Sequence, residues 1–204
     1  MHSYLSKALS ILFHPIIMPT AGIFITFQSS YYLGMMPTNG QHATYLIVFV
    51  STFVLPLIMI SLFMLRKVVK SLEMTEKQER FVPFMVTSIF YFFSYYTLNQ
   101  LNAPGFISAY ILGAFITIFI IALTSIAWKI SAHMAGLGGV VGMILALADI
   151  YQAHDPYFFI EAIIIAGLVG SARLHVKAHS LQEVGAGFLL GLAVTMSTIY
   201  IYPL

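Results

Sequence analysis

Seven long apolar runs separated by short polar breaks constrain this chain more than any other feature. They cover about residues 9–27, 44–65, 82–98, 107–128, 135–151, 157–170 and 184–201. An α-helix needs ~20 apolar residues to cross the ~30 Å hydrocarbon layer of a bilayer. Within that layer only helices and closed barrels satisfy every backbone polar group. The expected fold is therefore all-α, a polytopic transmembrane bundle of about six to seven helices, forming one domain over residues 1–204. Composition agrees, because 60% hydrophobic and 8% charged residues describe a chain whose solvent is largely lipid. The first run contains His14-Pro15 and Pro19 and lacks a small-residue cleavage pattern. It is expected to be a retained, kinked span rather than a cleaved signal.

Counting crossings assigns every polar cluster to a side of the membrane. Lys7, Arg66, Lys67, Lys70, Lys77, Arg80, Lys129, Arg173 and Lys177 are all nine Lys and Arg, and all fall on one face. The other face holds His42, His154 and Asp155. By the positive-inside rule the basic face, with the N-terminus, is expected to be cytoplasmic. A net charge of +2 gives no electrostatic footprint for nucleic acid, and the absence of cysteine excludes disulfides and thiolate metal sites.

Three polar clusters meet on that basic face: Lys77-Gln-Glu-Arg80-Phe-Val-Pro83, Ile130-Ser131-Ala132-His133, and Ser171-Ala-Arg173 through His179 to Glu183. Ionisable groups beside hydrocarbon are costly, so they are functional candidates by default. Their order and spacing resemble the type 2 phosphatidic acid phosphatase superfamily of membrane lipid phosphatases. Its signatures are Lys…Arg-Pro, Pro-Ser-Gly-His and Ser-Arg-x5-His-x3-Asp. Arg173-x5-His179-x3-Glu183 matches the third, followed by the small-residue stretch Gly185-Ala-Gly187-Phe-Leu-Leu-Gly191, and the resemblance covers roughly residues 66–200. Five departures stand out. Glu183 replaces Asp, Ala172 separates Ser171 from Arg173, Ala132 replaces Gly, Lys77 and Arg80 lie closer together than the pattern has them, and Pro83 is displaced from its arginine.

The resemblance implies separable roles. Arg173, Arg80 and Lys77 would hold phosphate oxygens, with Ser131 adding a hydroxyl. His179 would attack phosphorus to give a phosphohistidine, with Glu183 orienting its ring. His133 would protonate the leaving alkoxide and then activate water. The implied reaction needs no metal or other cofactor. The substrate would be a phospholipid or prenyl phosphate or diphosphate in the bilayer, and the setting the bacterial inner membrane. It is the charge asymmetry, not the resemblance, that places the site on the cytoplasmic side, since many bacterial relatives work on the outer one.

Two other readings compete. His175, His179 and Glu183 recur at i, i+4 and i+8, so on one continuous helix they would form a metal-ligand ladder. A lipid-phosphate binder or transporter would need only the cations. His2, His14, His42, His154 and Lys7 read as solvated or internally satisfied, and Arg66, Lys67 and Lys70 as membrane-surface anchors. The aromatics Phe90 to Phe93, Tyr95 and Tyr96 read as bundle packing or lipid-facing surface, and Gly136, Gly138, Gly139 and Gly142 as a close helix contact.

Overall fold

The computed structural model describes residues 3–70, 74, 77, 79–153 and 156–203. Among these, every regular element is helical, and seven helical stretches are long and apolar enough to cross a membrane. Six of the seven apolar runs lie within one of them, and the fourth, read as 107–128, overruns its helix, which ends at Thr124. The sixth, short as an apolar run, is a full 20-residue helix because its last turn carries Ser171, Arg173 and His175.

The first span is broken. α1 (Ser3–Leu12) stops before a 3-10 turn at Pro15–Ile17, and α2 (Met18–Ser29) completes the crossing. Pro15 has no N–H to give to the turn before it, so α1 cannot run on as an α-helix. After the short α3 (Tyr31–Gly34) the second span combines α4 (Thr38–Phe49), a π-helical turn at Val50–Val54 and α5 (Leu55–Leu65). The π-turn ends two residues before Pro56, which likewise lacks the donor that regular α-helix would require. The remaining spans are regular: α6 (Phe81–Gln100), α7 (Gly105–Thr124), α8 (Ala132–Tyr151), α9 (Pro156–His175) and α10 (Leu181–Ile201).

α8 is the hub. It packs on α10, α9, α2 and α7, and Val140, Val141, Met143 and Leu147 join Ile23, Phe106, Ile107, Ile111 and Ile199 in the main core. Lipid tails are as apolar as these side chains, so close backbone approach has to hold helices together. Four glycines permit it between α8 and α10. A Cβ on Gly138 would fall on the Phe188 carbonyl, on Gly142 on that of Leu192, on Gly187 on that of Ser131, and on Gly191 on that of Ala135. Of the four glycines expected to make a close contact, Gly138 and Gly142 make this one. Gly139 lies at the same seam, against Thr195 of α10, whereas Gly136 faces Met18 and Pro15.

The two ends of the bundle differ. The far end carries Tyr31, Tyr32, Tyr96, Tyr157 and Tyr200 as exposed aromatics, the composition of an interfacial belt. There Asp149 accepts a 2.7 Å hydrogen bond from Tyr200, and Asn99 one of 3.1 Å from Tyr202. His154 and Asp155, placed on that face by sequence, lie outside the described residues. Within the aromatic run of α6, Tyr91 is buried whereas Phe92, Phe93 and Tyr96 are exposed.

Candidate functional site

At the basic end, a cavity of about 370 Å³ opens between the broken first span and α5 and α6. Its walls are apolar, with Ile11, Ile17, Phe53, Leu57, Phe84 and Tyr91 among them. Its polar lining is Lys7, Ser10, His14, Arg80, His133, Arg173 and His179. Four residues singled out from sequence, Arg80, His133, Arg173 and His179, thus converge from α8, α9 and the approaches to α6 and α10.

The loop after α9 sets the position of His179. α9 ends in a Schellman turn, with Ala178 N–H on the Arg173 carbonyl at 3.1 Å, Lys177 N–H on that of Leu174 at 3.0 Å, and Lys177 left-handed at φ 51°. This break separates His175 from His179, so the expected ladder of His175, His179 and Glu183 does not form. His175 is exposed at the end of α9 while His179 is 9% exposed beside the cavity. Among the described residues no three His, Asp or Glu side chains converge as a metal-binding set.

His179 has a defined tautomer. Its Nδ1 lies 3.0 Å from the Lys129 carbonyl and 3.3 Å from Glu183 Oε2. Both are acceptors, so Nδ1 carries the proton and the neutral ring keeps its lone pair on Nε2. Glu183 holds this arrangement through a second task. Ser180 and Glu183 form a capping box on α10, with Ser180 N–H on Glu183 Oε2 at 2.9 Å and Glu183 N–H on Ser180 Oγ at 3.3 Å. The Ser-x-x-Glu spacing of that box is visible in the sequence. It explains why a glutamate serves here, since N3 of the helix is where a glutamate reaches back to the cap.

Burial is the main influence on the charges. It pushes the His179 imidazole down to about 4, helped by the neighbouring Arg80, Arg173 and Lys129 and opposed by Glu183. Burial also lowers Arg80 to about 10, with Glu183 opposing and Arg173 adding. His179 is thus neutral at physiological pH. As pH falls from the ordinary histidine value of 6.5 towards 4, the unfolded ring takes up a proton that the folded ring refuses. The native state then loses stability, on the order of 3 kcal/mol by pH 4. Thermal melts in detergent check this. The parent protein's melting temperature should fall more steeply between pH 7 and pH 4 than that of His179→Gln, and parallel profiles would refute it.

Arg80 is 4% exposed, donates to the Ile130 carbonyl at 3.1 Å and lies over the Phe84 ring at 5.0 Å. Its Nε has no hydrogen-bond partner, and no carboxylate ion-pairs with it among the described residues. Arg173, equally buried, donates to Ser10 Oγ at 3.3 Å. His133 Nε2 lies 3.0 Å from the Ser10 carbonyl, an acceptor that the break after α1 leaves exposed. His133 therefore carries a proton on Nε2, and its Nδ1 is the atom with a lone pair.

Two expectations fail on position. Lys77 is exposed and spends its ammonium on the Ala127 carbonyl at 2.9 Å, outside the cavity lining. Ser131 is fully buried and caps α8, accepting from Met134 N–H at 3.5 Å, while its own N–H goes to the Glu183 carbonyl at 3.1 Å. Each is tied to a backbone group next to a helix end, Lys77 as donor beyond α7 and Ser131 as acceptor at the start of α8, and neither lines the cavity. Conversely, Lys7 and His14 read as bland in sequence yet line the cavity. Their signal lay in Pro15, which breaks the first span at the depth of the other polar residues.

No protein-family model, curated protein or solved structure matches the chain. The functional reading therefore rests on this geometry and on the motif resemblance.

Proposed function

We propose that this integral membrane protein is a lipid phosphatase of the type 2 phosphatidic acid phosphatase kind, acting through a phosphohistidine on His179. The observation that carries the reading is the cavity's composition: two buried arginines, Arg80 with no carboxylate ion pair among the described residues, beside a neutral histidine and below an apolar wall. A buried cation is costly unless an anion compensates it. A lipid phosphate supplies both the anion and a chain for the wall.

In this reading Arg80 and Arg173 hold the equatorial oxygens and take up charge in the transition state. The lone pair on His179 Nε2 attacks phosphorus and the bond to the lipid oxygen breaks. The Lys129 carbonyl and Glu183 carboxylate stabilise the positive charge that appears on the ring. The lipid phosphate enters as its monoanion: its P–OH proton passes to the free lone pair on His133 Nδ1, since Nε2–H is held by the Ser10 carbonyl, and Nδ1 hands that proton to the departing alkoxide. Nδ1 next accepts a proton from water, whose oxygen attacks the phosphohistidine and breaks its P–N bond, and orthophosphate leaves with that proton, restoring free His179 and neutral His133. The basic end of the bundle would face the cytoplasm by the charge rule, which points to lipids phosphorylated on that side.

One observation favours a second reading, a binder that holds lipid phosphate without turnover. Lys77, Ser131 and the Nε2 proton of His133 are all engaged by backbone carbonyls or amides. Phosphate release from lipid phosphates in detergent with excess chelator decides between them. Chelator-resistant release supports the phosphatase, no release supports the binder, and loss of release on chelation overturns the metal-free mechanism.

Arg80→Met separates function from stability. It removes a buried charge that has no ion pair among the described residues, at the cost of one hydrogen bond to Ile130 and the contact over the Phe84 ring. The expected result is a melting temperature at or above the parent's with kcat/KM lowered about 10²-fold or more. Parallel loss of folding and activity would mark Arg80 as structural.

A further inference from the structure

With Lys77 and Ser131 outside the cavity, the phosphate donors read from the motifs come down to its two arginines. His14 is in place to supply one. It caps the 3-10 turn that follows it, with Nδ1 accepting from Ile16 N–H at 3.5 Å. A ring nitrogen that accepts a hydrogen bond carries no proton, so the neutral ring holds its proton on Nε2. Nε2 has no hydrogen-bond partner among the described residues, and the residue lines the cavity beside Arg173 and His179. The ring is also buttressed. His133 packs edge-on against it at 5.2 Å, and His133 is itself tied to the Ser10 carbonyl.

We infer that His14 is a phosphate-binding residue, its neutral imidazole donating Nε2–H to a non-bridging phosphoryl oxygen. This deepens the proposed reading and rests on it for the identity of the ligand. No proton is transferred and no bond to His14 forms. The role fits the electrostatics. A neutral donor adds a hydrogen bond to the anion without adding a third charge beside two guanidinium groups.

The cap and the donor can be separated by substitution. His14→Asn keeps a side-chain acceptor suited to capping, but its amide is too short to reach where Nε2 lies. His14→Gln places an N–H at about the reach of Nε2. The probe is orthophosphate, with its Kd measured by calorimetry on the full chain in detergent. In His14→Asn, affinity should fall roughly ten- to hundredfold, the range for a hydrogen bond to a charged group, with the melting temperature near the parent's. In His14→Gln most of the affinity should return.

Affinity within twofold of the parent in His14→Asn would overturn the inference, as would His14→Gln binding no better than His14→Asn. Failure of the parent protein to bind orthophosphate would overturn it together with the proposed function. Orthophosphate binding that depends on His14, in a protein that releases no phosphate from lipids, would uphold the inference while removing the hydrolytic reading.

Discussion

His179→Ala should lower phosphate release from a lipid phosphate by at least about 10³-fold while leaving orthophosphate binding within a few-fold of the parent. The size follows from the role. Loss of a covalent nucleophile removes the reaction path, whereas the residual rate reflects binding and electrostatic stabilisation alone. The split between binding and turnover follows from the geometry. Arg80 and Arg173 approach the cavity from other elements, so the anion keeps its main cations when the imidazole is gone. Brief incubation with a substrate labelled at phosphorus, followed by alkaline quench, should trap acid-labile label on the parent protein and none on the variant. Undiminished turnover in His179→Ala would sink the nucleophile assignment. Glu183→Gln provides a graded companion. It keeps an oxygen acceptor for the Ser180 cap but removes the charge that faces the ring, so its loss of rate should be smaller than that of His179→Ala.

The largest effect on folding is expected at the seam of α8 and α10. Gly191→Val would drive a branched side chain into the Ala135 carbonyl, a backbone atom that cannot rotate away. Overpacking of this kind costs about 3 kcal/mol or more, and in lipid no hydrophobic gain offsets it. The variant should lose its cooperative melt in detergent or melt far below the parent. Gly185→Ala supplies the contrast on the same helix. Nothing lies within 4 Å of a Cβ there, so that change should be neutral or raise stability slightly through helix propensity. If both variants melted alike, the seam would not be what holds the two helices together.

The spans were legible in the sequence because a membrane helix carries its signal in its own composition. The gathering of Arg80, His133, Arg173 and His179 was legible because alternating crossings and motif spacing put them at one end. What escaped was local backbone accounting. Lys77 and Ser131 carry the right chemistry, yet both are tied to backbone groups near helix ends and lie outside the cavity, which no spacing rule reveals. The metal-like recurrence of His175, His179 and Glu183 assumed an unbroken helix, and the left-handed Lys177 interrupts it. His14 and Lys7 were passed over because the first span falls outside the stretch that carries the motifs. Pro15 brings His14 to bear by opening the helix beside it, and the same opening exposes the carbonyl that fixes His133.

The glycine seam and the broken helices divide the cavity into two mechanically unlike halves. His133 and His179 stand on or next to α8 and α10, whose backbones are in near contact and leave little room for displacement. The opposite wall is built from α1, its 3-10 turn, the π-turn and α5. Here α1 packs chiefly on α9 and α5 on α6, rather than on each other. In the proposed reading the reacting groups would sit on the close-packed half, and the chain of the substrate would meet the half built from the broken helices. Substitutions at Ile11, Phe53 or Leu57 would then retune which chains are accepted without moving the reacting groups, so selectivity and rate could diverge independently along this fold.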